Sequence, residues 1–276
     1  MVTRTHYLQQ LAAVRNQHLI KVITGIRRCG KSTLMFDFQR DLLAHGIRHE
    51  QIVAINFEER RHSEYQRWQD AYDAIAAHMR RPQPYYIFLD EVQQVPQFER
   101  LIDALFVQRD VDLYVTGSNA YLLSSELATL LSGRYVNIHL HPFSFAEYVA
   151  AFPDEHNTDR LFRQYLNSSC FPEAVNLQRT APNMVNAYLR SLYDTVVTKD
   201  IVQHNHLRKK EQLQNIVPFV YDSIGSVISA NNIATALGTD KHPSHNTVQK
   251  MLDFLTTSYL TYPVRLFNIK GKKLDL

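Results

Sequence analysis

Residues Gly25–Ser32 read Gly-Ile-Arg-Arg-Cys-Gly-Lys-Ser and match the pattern G-x-x-x-x-G-K-[ST] at every fixed position. A chain of phosphates needs several hydrogen-bond donors that converge on one point. Backbone N–H groups supply them only where the chain curls tightly, which Gly25 and Gly30 permit. Lys31 would place a positive charge against the terminal phosphates, and Ser32 would offer a hydroxyl to Mg²⁺. The segment therefore predicts a phosphate-binding loop for a nucleoside triphosphate.

The context of this loop is the expected one. The apolar run Leu19–Thr24 predicts a buried strand before it, and the spacing of apolar residues over Lys31–Leu43 predicts a helix after it. A strand, a glycine loop and a helix N-terminus together favour phosphate binding. The residues expected to contact the nucleotide are Gly25, Ile26, Arg27, Arg28, Cys29, Gly30, Lys31, Ser32 and Thr33.

Three members of the loop allow more than one interpretation. Arg27 and Arg28 could contact phosphate or a partner subunit, although solvated side chains are favoured for at least one of them. Cys29 is interpreted as a small loop residue, with redox control as the alternative.

An acidic pair follows the next strongly apolar run. Tyr85–Leu89 reads YYIFL and predicts a strand, and Asp90 and Glu91 come directly after it. Hydrolysis needs one carboxylate to hold the Mg²⁺ shell, a role that suits Asp90 beside Ser32. It also needs a group that orients the attacking water, which suits Glu91. The alternative is two surface acids at a strand end, but the upstream phosphate loop favours the catalytic interpretation.

Two further residues are candidates for contact with the terminal phosphate. The segment Thr116–Asn119 closes a predicted strand, so Ser118 or Asn119 could bind the phosphate or the water; we take Asn119 as the candidate. An ordinary turn with a helix cap is the alternative. Arg134 could stabilise charge on the transferring phosphoryl group, in its own chain or on a neighbour's site. A structural ion pair is almost equally favoured for Arg134.

The order of elements predicts an α/β fold. Further strands are expected at Ile52–Phe57, Val111–Thr116 and Tyr135–Leu140, with helical patterns between them. Strands that alternate with helices are typical of a parallel sheet that is covered on both faces. The phosphate loop would lie at the carboxyl edge of this sheet.

After Pro142 the pattern changes. We expect an ATPase core at 1–142, a helical segment at 143–207, a winged-helix domain at 208–269 and a short tail at 270–276. The winged helix would consist of a first helix, a short helix at Asn231–Leu237, a helix at Ser244–Thr257 and a hairpin in the β-prone stretch Tyr259–Phe267. Ser244–Lys250 would begin a recognition helix that binds DNA, with packing or a protein partner as the alternative. The side chains available to a groove are His245, Asn246, Gln249 and Lys250, and those available to phosphates are Arg265, Lys270, Lys272 and Lys273.

Composition excludes several classes of function. The chain has 276 residues, 45% hydrophobic content and a net charge of +3, so DNA contact would need a local basic patch. The two cysteines, the absence of an apolar signal segment and the lack of a membrane-length apolar run predict a soluble cytoplasmic protein. The histidine pairs His204/His206 and His242/His245 lack companions at ligand spacing, so no metal site other than the Mg²⁺ site is expected.

Five ordered motifs resemble a large group of AAA+-like P-loop ATPases of bacteria and archaea. They are Gly25–Leu34, Leu89–Gln93, Thr116–Ala120, Leu131–Tyr135 and Pro142–Tyr148. The resemblance continues through Phe171–Ala174 to the winged-helix region, so it covers nearly the whole chain. It implies a RecA-like P-loop NTPase sheet flanked by helices, followed by a helical segment and a winged helix.

The resemblance also carries expectations for the site and for the carboxyl end. It implies that Lys31, Ser32, Asp90 and Glu91 keep the roles given above. Family members usually continue into a nuclease-like domain, but this chain ends at Leu276, so no nuclease function is expected. Glycines are usual just before Phe171-Pro172-Glu173; here Ser168-Ser169-Cys170 stand instead, which bears on the local turn alone.

These observations predict a Mg²⁺-dependent ATPase that couples nucleotide binding and hydrolysis to a conformational change, and so to motion or remodelling of a partner. No guanine-reading Asn-Lys-x-Asp element is present, which favours ATP. The alternative is a slow nucleotide switch that binds DNA or protein through its winged helix and turns over little. A small-molecule kinase is disfavoured, because adjacent acids on one strand and the helical parts after it suggest no acceptor pocket. A homo-oligomer and a remnant without output both remain open.

Overall fold

In the computed structural model, five parallel strands form one sheet. The structure describes residues 2–59, 65, 67–79, 82–117, 133–203, 210–237 and 243–264. The strands are β1 (Ile20–Thr24), β2 (Ile52–Asn56), β3 (Tyr85–Asp90), β4 (Val111–Thr116) and β5 (Tyr135–His139). Their order is β2-β3-β4-β1-β5, and every neighbouring pair is parallel. The predicted strands are confirmed to within one residue at either end, as is the predicted RecA-like class of fold.

Helices flank this sheet. Two compact units divide the chain at Leu189 and Arg190. The helices that begin in the first unit are α1 (Thr5–Ala13), α2 (Lys31–Ala44), α3 (Trp68–His78), α4 (Phe98–Phe106), α5 (Phe145–Ala150), α6 (Thr158–Asn167), α7 (Pro172–Thr180) and α8 (Val185–Thr195).

Alternation along the strands decides which residues face which helix. Ile87 and Leu89 of β3 belong to the buried cluster that also contains residues of α3 and α4. The intervening Phe88 points to the opposite face, where it stacks on Tyr114 of β4 with ring centroids 4.7 Å apart. Phe38 of α2 lies 5.3 Å from the same Tyr114 ring. The sheet is therefore covered on both faces, and α2 lies on the face of Phe88.

The strand order places β4 between the phosphate loop and the acidic pair. The loop follows β1, the acids follow β3, and β4 pairs with both strands. Since parallel strands all point the same way, the carboxyl ends of β1, β4 and β3 meet at one edge of the sheet. Asp90 lies two residues after Phe88, so its side chain emerges on the face that carries α2. This alternation brings an acid of β3 towards the first turn of α2.

A buried ion pair lies at the opposite, amino end of the same face. The Lys21 ammonium is fully buried and donates to the Asp112 carboxylate and, at 2.7 Å, to the carbonyl of Gln17. Asp112 also accepts from the Tyr114 hydroxyl at 2.8 Å. Burial lowers the pKa of Lys21, and the neighbouring carboxylate opposes that shift. The pair ties β1 to β4 and to the turn before β1.

The remainder of the first unit forms a small core of its own. Phe143, Tyr148, Leu161 and Val175 come together from the segment after β5 and from helices α5, α6 and α7. Helix α5 begins at a capping box, in which the Ser144 hydroxyl accepts from the N–H of Glu147. These helices therefore follow the sheet directly and belong to the same compact unit.

The second unit, from Arg190, is helical where it is described. After a π-helical stretch at Val196–Gln203 it contains α9 (Lys210–Asp222), α10 (Ala230–Ala236) and α11 (His245–Thr257). Its core includes Leu213 of α9, Ile233 of α10 and Val248 and Leu255 of α11. Three helices in this order agree with the helical part of the sequence prediction.

The β-hairpin of a winged helix was predicted at 259–267. Residues 259–264, which the structure describes, form no strand, and 265–276 lie outside the described part. The winged helix and the phosphate contacts of Arg265, Lys270, Lys272 and Lys273 therefore stay predictions, as do the domain boundaries at 142, 207 and 269. Within the described ranges, no helix has both the length and the apolar character that crossing a bilayer requires.

Candidate nucleotide-binding site

Two glycines shape the phosphate loop. Gly25 has φ +146° and Gly30 has φ +103°, both values that side chains rarely adopt. At Gly25 a Cβ would lie 2.2 Å from the carbonyl oxygen of Leu140 and 2.9 Å from the Cys29 sulfur. The loop thus begins in close contact with the segment after β5, and Gly30 begins α2.

Alanine at position 25 is expected to displace the loop. Its Cβ would clash with backbone that Leu140 cannot move, because the Leu140 N–H donates to Thr24 at 2.8 Å. We expect Gly25→Ala to weaken nucleotide binding at least about tenfold, through strain at a positive φ as well as the clash. Titration with a fluorescent ATP analogue measures this, and Gly46→Ala, where φ is also positive but the space is open, is the matched control. Equal affinities for the two variants would contradict the role given to the close contact.

Lys31 lies folded against the loop that precedes it. Its side chain is buried, and its Nζ donates to the carbonyl oxygens of Gly25 at 3.0 Å and Ile26 at 3.3 Å. Neutral carbonyls solvate the ammonium only in part, since charge-assisted bonds to anionic oxygen are stronger. The cation is thus held inside the curl of the loop, where an anionic phosphate would meet it.

Asp90 and Ser32 meet at the end of the sheet. The Asp90 carboxylate is almost fully buried and accepts hydrogen bonds from the hydroxyls of Thr116 and Ser32. Burial raises the pKa of Asp90, and the two hydroxyls oppose this rise. A cation close to Asp90 would favour the ionised carboxylate. The predicted pair of Mg²⁺ ligands, one hydroxyl and one carboxylate, is therefore adjacent in the fold.

Glu91 is held in an unusual backbone conformation. Its φ of +52° lies in the left-handed region, which a glutamate rarely adopts, and its N–H donates to the Thr116 hydroxyl at 3.0 Å. The carboxylate accepts from Gln93 Nε2 at 2.5 Å, and the residue is 7% exposed. Strain of this kind collects at functional sites. The backbone and the side chain of Glu91 are thus both fixed at the edge of the sheet.

Gln93 has a second polar atom beside the carboxylate. Its Oε1 is buried and accepts no hydrogen bond from any residue that the structure describes. Because a carboxylate only accepts, the amide must turn its NH₂ group towards Glu91, and this orients the oxygen elsewhere. A buried acceptor without a donor is costly, so a water or ligand donor is expected at this point.

The arginines and the cysteine of the loop lie in different surroundings. Arg27 pairs with Glu58 at 3.2 Å, whereas Arg28, with φ +67°, is exposed. Cys29 is fully buried, and burial raises the pKa of its thiol. A buried thiol that keeps its proton is a packing residue, which favours the first interpretation of Cys29 over redox control.

Arg134 does not join the phosphate loop of its own chain. It precedes β5, its carbonyl accepts from the N–H of Ile20 at the start of β1, and its guanidinium lies 3.4 Å from Asp103 of α4. The loop follows the other end of β1, roughly 16 Å away along a strand of this length. Because Arg134 comes just before β5, it lies at the amino edge of the sheet, whereas the phosphate loop lies at the carboxyl edge. A role for Arg134 at the site of its own chain is thus disfavoured. Asn119, the other candidate, lies outside the described residues.

Sequence reasoning missed two polar residues of this edge. Thr116 contacts both acids, and its position follows from the register, in which Leu89 pairs with Val115. The register was not available from the sequence. His139 at the end of β5 lies 3.1 Å from the Thr24 hydroxyl, and burial lowers its pKa to about 4, with smaller contributions from His141 and Lys31. His139 is therefore neutral near pH 7 and adds no charge to the site.

The predicted recognition helix has an exposed first turn. Ser244 caps the amino end of helix α11, and its hydroxyl accepts a hydrogen bond from the N–H of Thr247. His245, Asn246, Gln249 and Lys250 are exposed, as the prediction required. Gln249 donates to Asp253 of the same helix at 3.0 Å. An acid on the same face makes this surface less basic than the lysine alone suggested.

Two family models cover most of the chain. An AAA domain matches residues 17–149, and a domain of unknown function, DUF8612, matches residues 159–274. The first match includes β1, the phosphate loop, both acids and β5. The second match includes the three helices of the second unit.

Similar proteins occur in bacteria and archaea. An uncharacterized protein of Haemophilus influenzae is 35% identical over 280 residues, which cover 99% of this chain and 68% of that protein. An uncharacterized protein of Methanocaldococcus jannaschii is 22% identical over 272 residues, 93% of this chain and 58% of that protein. The chain thus spans about two thirds or less of the length of these relatives.

Among solved structures, a Walker-type ATPase of Pyrococcus abyssi matches with a TM-score of 0.60 at 13% identity, over 94% of this chain and 90% of that one. At this identity the likeness concerns the fold. The AAA domain match agrees with the geometry of Lys31, Ser32, Asp90 and Glu91. The chain belongs to the AAA+-like family of P-loop ATPases.

Proposed function

We propose that the chain binds ATP with Mg²⁺, hydrolyses it, and uses the change in bound nucleotide to drive a change of conformation. One observation carries the proposal: Ser32 bonds to Asp90, while Thr116 holds both Asp90 and the backbone of Glu91. The first turn of α2 and the ends of β3 and β4 thus hold the two acids next to the phosphate loop.

The residues present fit a Mg²⁺ ion. Mg²⁺ prefers hard oxygen ligands and is usually held by few protein groups together with phosphate oxygens and water. The Ser32 hydroxyl and the Asp90 carboxylate are such oxygen ligands, and a hydrogen bond from Ser32 is among the influences that lower the pKa of Asp90. When bound, the ion would neutralise charge that develops on the phosphates.

The loop would hold the triphosphate. Lys31 now donates to two neutral carbonyls, and anionic phosphate oxygens would compete well for the same ammonium. The turn at Gly30 starts α2, so the free N–H groups of its first turn point towards the same place.

Glu91 would orient the attacking water. Its carboxylate is fixed by Gln93, and the uncompensated Oε1 of Gln93 is a second acceptor close by. A water molecule that donates one proton to the Glu91 carboxylate has the direction of its lone pairs restricted by that hydrogen bond. Deprotonation during attack would then fall to the carboxylate.

Helix α7, in the same compact unit, is the candidate for transmitting a shift of the phosphate loop. A Cβ at Gly30 would lie 3.8 Å from Pro172, which begins α7. A shift of the loop on nucleotide exchange would therefore press on α7 within the same compact unit. The physiological partner that would respond, DNA or protein, is expected at the second unit.

Nucleotide binding and phosphate release by the wild type and by Lys31→Ala test the proposal. We expect Mg²⁺-dependent release by the wild type, and binding at least about tenfold weaker in Lys31→Ala, because the charge that meets the phosphates is lost. Arg160→Gln, at an exposed pair with Glu155, is a control that should behave as wild type.

The same assay separates the alternatives. Tight nucleotide binding without phosphate release, both with and without duplex DNA, would favour the nucleotide switch over the ATPase. Absence of nucleotide binding in a folded wild type would overturn the proposal as a whole. Stimulation by duplex DNA would identify DNA as a partner.

A further inference from the structure

Arg4, outside every motif considered so far, is buried against the phosphate loop. Only 4% of the residue is exposed, although it precedes the first helix. Its guanidinium donates to the carbonyl of Cys29 at 3.2 Å, the carbonyl of His141 at 2.8 Å and the carboxylate of Glu147 at 2.6 Å. One side chain thus connects the phosphate loop, the segment after β5 and helix α5.

Two aromatic rings hold this guanidinium in place. The carbon Cζ lies 4.7 Å from the centre of the Tyr7 ring and 5.2 Å from that of Phe143. The hydroxyl of Tyr7 also accepts from the N–H of His141 at 3.3 Å. A planar guanidinium suits this arrangement because Nε, Nη1 and Nη2 each serve one acceptor, whereas the three donors of an ammonium share a single nitrogen and cannot span the same distances.

The contact with Cys29 bears directly on the loop's donors. The carbonyl of Cys29 and the N–H of Gly30 belong to one planar peptide unit and point in opposite directions. A donor fixed on the Cys29 oxygen therefore fixes the direction of the Gly30 N–H on the other side. Gly30 is the last loop residue before Lys31, so this N–H is one of those that would meet phosphate.

The second contact fixes the other end of the loop. The carbonyl of His141 follows that of Leu140, the atom in close contact with Gly25. Arg4 therefore contacts both ends of the loop: the segment of Leu140 and His141, which lies against Gly25, and the Cys29–Gly30 peptide.

We propose that Arg4 is a positioning residue that holds the phosphate loop in its nucleotide-binding shape from the opposite side to the nucleotide. The proposal rests on the proposed function for the identity of the ligand, but the effect of Arg4 on the phosphate loop can be measured without any ligand. Because Glu147 shares the guanidinium, the position of α5 also bears on the loop.

Hydrogen–deuterium exchange of the nucleotide-free protein tests whether Arg4 restrains the phosphate loop. The amide of Cys29 donates to Ile26 at 3.2 Å and should exchange slowly in the wild type. In Arg4→Gln we expect exchange of a peptide covering Gly25–Ser32 to be at least about fivefold faster, with peptides of β3 and β4 unchanged. Arg4→Lys keeps the charge but not the three separate nitrogen donors, so its loop peptide should exchange at a rate between those of the wild type and Arg4→Gln.

Binding of fluorescent ADP provides the second measurement. Arg4→Gln should weaken it at least about fivefold, and Glu147→Gln, which keeps both backbone contacts of Arg4, should weaken it less. Arg160→Gln is the matched arginine control and should change neither measurement.

Exchange of the loop at the wild-type rate in a folded Arg4→Gln or Arg4→Lys would overturn the proposal. So would faster exchange spread evenly over the first unit, since that describes general destabilisation. If Arg4→Gln does not fold, Arg4→Lys still decides the question. If the wild type binds no nucleotide, the proposed function fails while the exchange data still decide the role of Arg4.

Discussion

Replacing Glu91 with glutamine is expected to leave ATP binding intact and to slow phosphate release at least about 100-fold, the usual range for loss of a general base. The amide has the same shape as the carboxylate, so the contact with Gln93 can be kept after a flip of the side chain. It cannot take a proton from water and is a weaker acceptor. Single-turnover phosphate release together with titration of a fluorescent ATP analogue measures the two quantities separately.

The control for Glu91→Gln is the same substitution at an exposed acid. Glu50, whose side chain is 75% exposed, lies outside the site, and Glu50→Gln should turn over as the wild type does. Phosphate release at an undiminished rate in Glu91→Gln would remove Glu91 from the role of orienting water. Loss of ATP binding together with a lowered melting temperature would instead assign Glu91 a structural role, through its strained backbone.

Replacing Lys21 with methionine is expected to lower the free energy of unfolding of the first unit by about 3–5 kcal/mol, as for other buried pairs that lose one partner. Asp112 would remain buried with a negative charge and without its cation. Nucleotide affinity of the folded variant should stay unchanged, because the pair lies at the amino end of β1 and the phosphate loop follows the carboxyl end.

Tryptophan fluorescence during urea unfolding measures this loss. The chain has one tryptophan, Trp68 in α3, so the signal reports the first unit alone. Lys21→Met combined with Asp112→Asn should lose less stability than the single variants predict together, because no buried charge is then left alone. If Lys21→Met lowers the free energy of unfolding by less than about 1 kcal/mol, the Lys21–Asp112 pair contributes no more than a solvent-exposed ion pair does.

Local patterns were sufficient for the elements of the fold. The apolar run before Gly25 and the run before Asp90 are each long enough for one strand, and turn or charged residues bound both. The helices of the second unit were also predicted where they occur, at Ala230–Ala236 and His245–Thr257. The described residues 259–264 of the predicted hairpin form no strand, and its remaining residues lie outside the described part of the chain.

Residues that act through distant neighbours could not be predicted in the same way. Arg134 was a candidate because an arginine can stabilise charge on a transferring phosphoryl group, yet the start of β5 places it in an ion pair with Asp103, the alternative that the sequence left open. Arg4 carried no motif at all, and its three acceptors lie 25, 137 and 143 positions further along the chain.

The sequence by itself determined the phosphate loop and the identity of the two acids, because the residues of each group are adjacent in the chain and their chemistry is local. Tertiary structure alone decided that Ser32 meets Asp90, that Thr116 holds both acids and that Arg4 lies behind the loop. These contacts depend on the strand order, on the register of β3 with β4 and on the face that each side chain takes. All three are set by packing between segments that are far apart in sequence.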